Sequence, residues 1–207
     1  IASAKYLNTK KVYLGRDTRE SSLTLARALN EGLNRSGVEV ISLGVAPTPE
    51  IAHAAKVDNA GGAVISASHN IWSDNGVKLF GLGGLKISDA IQDLIQIDWE
   101  NEQRKNHTIE GLDLEDVSDN RWINSLISSA KPGSFTGLNV VLDCANGASY
   151  KAAPKLLKEL GAKVTSIGIK PNGLNINDKC GSTFPSRIKQ AVKKYKAHVG
   201  IAFDGDA

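Results

Sequence analysis

The chain has 207 residues, enough for one large folded unit or two modest ones, and its 41% hydrophobic and 23% charged content is that of an ordinary globular protein. A formal net charge of +3, with no Lys/Arg block and no basic–aromatic interleaving, argues against a nucleic-acid partner. No apolar run reaches membrane-spanning length, no secretory pattern opens the chain, and Cys144 and Cys180 lie too far apart for a Cys-x-x-Cys site, so two free thiols in a reducing, cytoplasmic setting are expected.

In chain order, Lys11–Leu14 reads as a strand stopped by Gly15, followed by the polar turn Gly15-Arg16-Asp17-Thr18-Arg19. A helix is expected from about Ser21 to Arg35, with Leu25, Ala28, Leu29 and Leu33 on its apolar face. Val38–Leu43 alternates into a strand, and Pro47-Thr48-Pro49-Glu50 opens a short helix to about Val57. Ala63-Val64-Ile65 is a buried strand after Gly61-Gly62, and Val77-Lys78-Leu79-Phe80 resumes as a strand after the turn dipeptide Asn75-Gly76. Ser88 to about Glu102 is a helix, with Ile91, Leu94 and Ile95 on one face.

Residues 103–116 are polar and weakly patterned, which places a boundary there: one unit over 1–105 and a second over 106–207. Beyond it, helices are expected near Val117–Ser129, Tyr150–Leu160 and Pro185–Lys196, and strands at 138–142, 163–167 and 199–203. Strands alternating with helices imply α/β architecture with sheets covered on both faces. The chain lacks Met altogether, begins on Ile1 and stops at Ala207 just past an apolar strand, so it is expected to be a piece of a longer polypeptide.

Two stretches carry chemistry. Ser66-Ala67-Ser68-His69-Asn70 follows a buried strand, and an open α/β sheet places ligands at the carboxyl ends of its strands. On residue type alone this run is equally a polar connection chosen for turn chemistry. At the other end, Asp204-Gly205-Asp206 puts two carboxylates at spacing i, i+2, hard oxygen ligands suited to Mg²⁺, although Asp-Gly-Asp is also common in plain turns. His53, His107 and His198 have no acidic or cysteine partner at ligand spacing and read as ordinary histidines, and Cys144 reads as a small core residue.

The string Ser-Ala-Ser-His-Asn followed by Asp-Asn-Gly-Val-Lys resembles the active-site loop of the α-D-phosphohexomutases, and Asp204-Gly205-Asp206-Ala207 resembles the start of their metal loop. Gly15–Arg19, Asp143-Cys144-Ala145-Asn146-Gly147-Ala148 and Asn172–Asn177 match the same family in order. The resemblance implies three-layer α/β/α domains with mixed sheets, two consecutive units of a normally four-domain enzyme. It implies that Ser68 carries a transferable phosphoryl group, that Ser68, Asp204 and Asp206 hold Mg²⁺, that Lys78 complements phosphoryl charge or helps move a proton, and that His69 orients the loop. Arg16 and Arg19 are candidates for phosphate contact, or alternatively for solvent-facing pairs with acids.

One position departs from the family pattern: Ile71 stands where Pro is usual, which removes a ring that would stiffen the loop. The wording Ile-Ser-Ala-Ser-His-Asn points to the amino-sugar branch of the family. Such an isomerase interconverts glucosamine 6-phosphate and glucosamine 1-phosphate through a bisphosphate, toward UDP-N-acetylglucosamine and cell-wall precursors. Mannose- or glucose-phosphate mutases are the nearest alternative. A haloacid-dehalogenase-like phosphatase using Asp204 as nucleophile, and a non-catalytic sugar-phosphate binder, are more remote. The family's opening loop and its third and fourth domains have no counterpart here, so the polypeptide alone is expected to show little mutase turnover.

Overall fold

The computed structural model describes residues 2–102 and 113–207. Its first sheet is built on β1 (Lys11–Arg16), flanked by β2 (Glu39–Val45) on one side and β3 (Gly61–Ile65) on the other. Both neighbours run parallel to β1, and β4 (Val77–Phe80) pairs antiparallel with β3, giving the order β2-β1-β3-β4. Central parallel strands are covered on both faces and so are apolar throughout, and every residue of β3 is buried.

One face packs α2 (Ser22–Arg35), α1 (Ala2–Leu7) and α4 (Asp89–Glu102) around Val12, Leu14, Ala63 and Ile65. The other face takes α3 (Thr48–Val57), whose Ile51 seats beside Tyr13 and Val64. That seat depends on the absence of side chains below it: a Cβ on Gly15 would lie 2.6 Å from Ile51 and one on Gly62 would lie 3.2 Å from it.

The second sheet has β5 (Asn139–Asp143) at its centre with β6 (Lys163–Ile167) and β7 (Val199–Ala202) on either side, all parallel, in the order β6-β5-β7. One face meets α6 (Ala152–Glu159) through Val140, Leu142 and Cys144, and the other meets α7 (Pro185–Tyr195) through Val141, Ile188 and Ala191. The three-layer arrangement expected from the sequence is therefore present in both units, with the antiparallel strand confined to the first.

Several boundaries shift. The helix expected near 117–129 is α5 (Arg121–Ser129), because Val117 donates its N–H to Ser42 O on β2 at 2.8 Å and Asp119 accepts the Arg121 N–H at 2.8 Å, stopping the helix short. A single 3₁₀ turn at Ala148–Tyr150 precedes α6, so that helix also starts later. On α2 the buried stripe runs through Ser22, Ala26 and Leu33 while Leu25 stays 36% exposed, because small Ala26 lets the helix sit close to the sheet. On α4, Ile91 and Ile95 face the core but Leu94 is 47% exposed. The short α1 has no counterpart among the sequence expectations and is tied to α4 by Lys5 and Tyr6 bonding to Asp98 at 2.8 and 2.9 Å. The expected division at residue 105, and His107, lie outside the described residues. His198 is structural: its Nδ1 accepts the Asn139 N–H at 2.9 Å.

In both sheets the chain reverses its direction of travel beside the central strand, between β1 and β3 and again between β5 and β7. Such switch points leave a crevice at the strands' carboxyl ends. Here the two crevices face each other. Thr18 Oγ1 donates to Asn146 O at 2.5 Å, the Glu20 N–H to Gly173 O at 3.0 Å, and the Thr48 N–H to Asp206 O at 2.9 Å.

Candidate active site

β3 ends at Ile65, and the chain leaves it through a turn set by Ser66, whose Oγ accepts the Ser68 N–H at 2.9 Å. Ser68 adopts a left-handed backbone, φ 54°, which is uncommon for a residue with a Cβ and marks a conformation imposed by its surroundings. This turn points Oγ across to the second unit, 2.6 Å from Asp204 Oδ2 and 2.9 Å from Asp206 Oδ1. A hydroxyl has one proton, so it donates to one carboxylate at a time and is drawn by both. The aspartates come from the loop after β7. Gly205 between them is required by contact, since a Cβ there would lie 2.4 Å from Ser68 O.

Asp206 is nearly fully buried and accepts Lys78 Nζ at 2.5 Å as well as the Thr48 hydroxyl. Burial pushes its carboxyl up, but the bonds from Lys78, Thr48 and Ser68 outweigh burial and hold it below the usual carboxylate range. Two carboxylates and one ammonium leave this centre with a net negative charge. A phosphoryl group on Ser68 adds about −1.5 to −2 more. A divalent cation answers that excess, and one or two carboxylates with phosphate oxygens are the donor set Mg²⁺ takes. Ser68, Asp204 and Asp206 fit that role. Among the described residues no cluster of three or more His, Cys, Asp or Glu forms a closed metal cage.

Arg19 does not form the solvent-facing pair offered as one alternative. It is buried rather than solvent-facing, paired with the equally buried Asp17. Its guanidinium spans the serine loop's carbonyl oxygens: Asn70 O at 2.8 Å, Ser68 O at 3.4 Å and Ile71 O at 3.4 Å. Asp17 also accepts the Arg19 N–H at 3.0 Å and the Ser22 hydroxyl at 2.7 Å. Arg16 is held bidentately by Asp116 at 2.9 and 2.7 Å. Its contacts are thus with the chain that returns along β2 rather than with Ser68. His69 is exposed on the loop, whose backbone is held by Ser66 and Arg19.

Beside the centre, a cavity of about 440 Å³ lies between the units, lined by Arg16, Gly44, Glu50, Asp119, Lys151 and Lys155. Burial, and then the charge of Asp119, pushes the Glu50 carboxyl up to about 7 against the opposing pull of Lys155. Sequence reasoning missed Thr48, read only as part of a Pro-x-Pro helix start, and missed Asp17 and Ser66 as supports of the loop.

This geometry sets a serine hydroxyl against paired aspartates at the junction of two α/β/α units. The family model described as phosphoglucomutase/phosphomannomutase, alpha/beta/alpha domain I matches residues 1–106, and its domain II counterpart matches residues 120–207. The chain belongs to the phosphoglucomutase/phosphomannomutase family.

Within that family it is 46% identical to a phosphoglucosamine mutase of Pelagibacter ubique, over all of this chain and 49% of the relative. It is 45% identical to that of Acinetobacter baylyi, over 97% of this chain and 46% of the relative. The chain therefore spans about half the length of the curated relatives it matches. Among solved structures, a putative phosphomannomutase from Thermus thermophilus superposes with a TM-score of 0.78 at 25% identity, over the whole chain and 49% of that structure. An Aspergillus fumigatus N-acetylphosphoglucosamine mutase, solved with GlcNAc-6P and magnesium, shares the fold at TM-score 0.51 and 19% identity, over 97% of this chain and 33% of that one. Among the described residues no helix is long and apolar enough to cross a membrane.

Proposed function

We propose that the chain carries the phosphoryl-transfer centre of a phosphoglucosamine mutase, with Ser68 as the phosphoryl carrier. The observation that carries this reading is the Ser68 hydroxyl, 2.6 and 2.9 Å from two aspartates delivered by the opposite unit. In the forward half-reaction the P–O bond to Ser68 Oγ breaks as a sugar hydroxyl oxygen bonds to phosphorus, and that hydroxyl's proton passes to a titratable group of the cleft. The resulting bisphosphate turns over, and its other phosphate returns to Oγ, regenerating the phosphoserine and releasing the isomeric monophosphate.

Lys78 sits on Asp206 and offsets its charge, and Arg19 and Asp17 keep the loop from shifting as charge builds on the transferred group. Ser68, Asp204 and Asp206 would hold Mg²⁺, which when bound would neutralise charge on the phosphoryl oxygens. The identities with phosphoglucosamine mutases support glucosamine phosphates over mannose or glucose phosphates as substrates, and hence a place in amino-sugar precursor synthesis. The two free, buried thiols fit the reducing cytoplasm. The phosphatase alternative leaves Ser68 idle, whereas here the serine is the group both aspartates address.

Incubation with a hexosamine 1,6-bisphosphate and Mg²⁺, followed by phosphopeptide mapping, is expected to place the phosphate on Ser68, with none in Ser68→Ala. Label on Asp204 instead would favour the aspartyl-phosphatase reading and defeat this one.

A further inference from the structure

The loop between β6 and α7 carries Asn177, which holds a left-handed backbone (φ 58°) and donates its N–H to Ala145 O at 2.9 Å. Its Nδ2 reaches out of the second unit into the serine loop, 2.9 Å from Ser68 O and 2.9 Å from Asn70 O. Both facing atoms are carbonyl oxygens and accept only, so the amide must present its NH₂, whose two protons match the two acceptors. Asn177 Oδ1 is buried and meets no donor, so the carboxamide is held through its nitrogen.

The same two carbonyls receive Arg19 from the first unit, at 3.4 and 2.8 Å. Two planar donors, one from each sheet, thus bracket the backbone on either side of His69. Gly205 packs against the same spot, where an added Cβ would come within 2.9 Å of Asn177 Nδ2.

We propose that Asn177 is a positioning residue for Ser68. Docking of the second unit brings its carboxamide onto the Ser68 and Asn70 carbonyls. That contact holds the left-handed turn which aims Oγ between Asp204 and Asp206. The hold that Ser66 and Arg19 begin within the first unit is therefore completed when the two units are together. With Ile71 in place of a ring that fixes φ, this cross-unit grip adds stiffness to that from Ser66 and Arg19. The catalytic consequence rests on reading Ser68 as the phosphoryl carrier; the positioning does not.

The test compares Asn177→Asp, which keeps size and left-handed tolerance but offers no donor, with Asn177→Gly, which keeps the backbone and removes the side chain. Amide hydrogen exchange is followed along the chain together with the rate of Ser68 labelling by a hexose 1,6-bisphosphate. Both variants are expected to speed exchange at Ser68–Asn70 by at least about tenfold while β5, β6 and β7 keep their protection. Labelling is expected to slow by about tenfold with the half-saturating bisphosphate concentration changed less than about twofold, the split a positioning role gives. Unchanged exchange in the loop, or acceleration spread evenly over the second unit, overturns the proposal. Absence of Ser68 label in the unsubstituted protein sinks the mutase reading instead, and the exchange pattern still decides the grip.

Discussion

Asp17 and Arg19 have fully buried side chains and pair with each other out of water, with the Ser22 hydroxyl on Asp17 and the loop carbonyls on Arg19 as further partners. Arg19→Ala leaves Asp17 uncompensated and strips donors from three loop carbonyls at once. It is expected to destabilise the protein by about 3–5 kcal/mol, read from urea unfolding, with the double variant Asp17→Ala/Arg19→Ala recovering part of the loss. A double variant no more stable than the single one would show that the buried charge is not the cause. At this scale the sequence was informative where chemistry is written in a short string: Ser68, Lys78, Asp204 and Asp206 do converge. Of the two readings offered for Arg19, the solvent-facing pair fails, because the loop that buries it lies about 50 residues further along the chain and is not visible in local spacing. Thr48 was silent because its partner, Asp206, belongs to the other sheet.

One element carries a group that titrates near neutrality: α3. Its first turn carries Glu50 facing the inter-unit cavity, with Asp119 and Lys155 opposite. The folded-state pKa is raised from 4.5 to about 7, so between those values the folded protein holds a proton that the unfolded chain has released. Stability from this group is therefore greatest at low pH, declines as pH rises through about 7, and then levels off. Glu50→Gln is expected to flatten that decline and to make the variant more stable than the parent at about pH 8, checked by thermal melts at several pH values. A parent and variant with parallel pH profiles would remove Glu50 from the account.

Elements themselves were largely legible, because period-2 and period-3.6 patterns survive in single sequences. Their faces and ends were less so. Asp119 and the Val117–Ser42 pairing trim α5, and α1 is held by Leu7 in the core and by Lys5 and Tyr6 on Asp98, none of which periodicity encodes.

At the scale of the whole molecule, the α/β/α layering of each unit followed from alternation of elements. The docking of one unit on the other did not, because it is made mostly by loop backbones and by side chains distant in sequence. The two thiols report on whether the second unit stays closed. Burial pushes both Cys144 and Cys180 up to about 11. In the folded protein at neutral pH both are expected to react with a disulfide reagent at least about 100-fold more slowly than free cysteine, since the thiolate fraction alone falls by about that factor. Reaction at the free-thiol rate without denaturant would mean that the packing around β5 is open in solution.

The grip on the serine loop falls on the oxygens of Ser68, Asn70 and Ile71, atoms that every amino acid possesses. Such a fastening is blind to spelling. It leaves the outward-pointing Ile71, 63% exposed, free to drift in identity, and a proline can be given up at that place without unfastening the alcohol beside it.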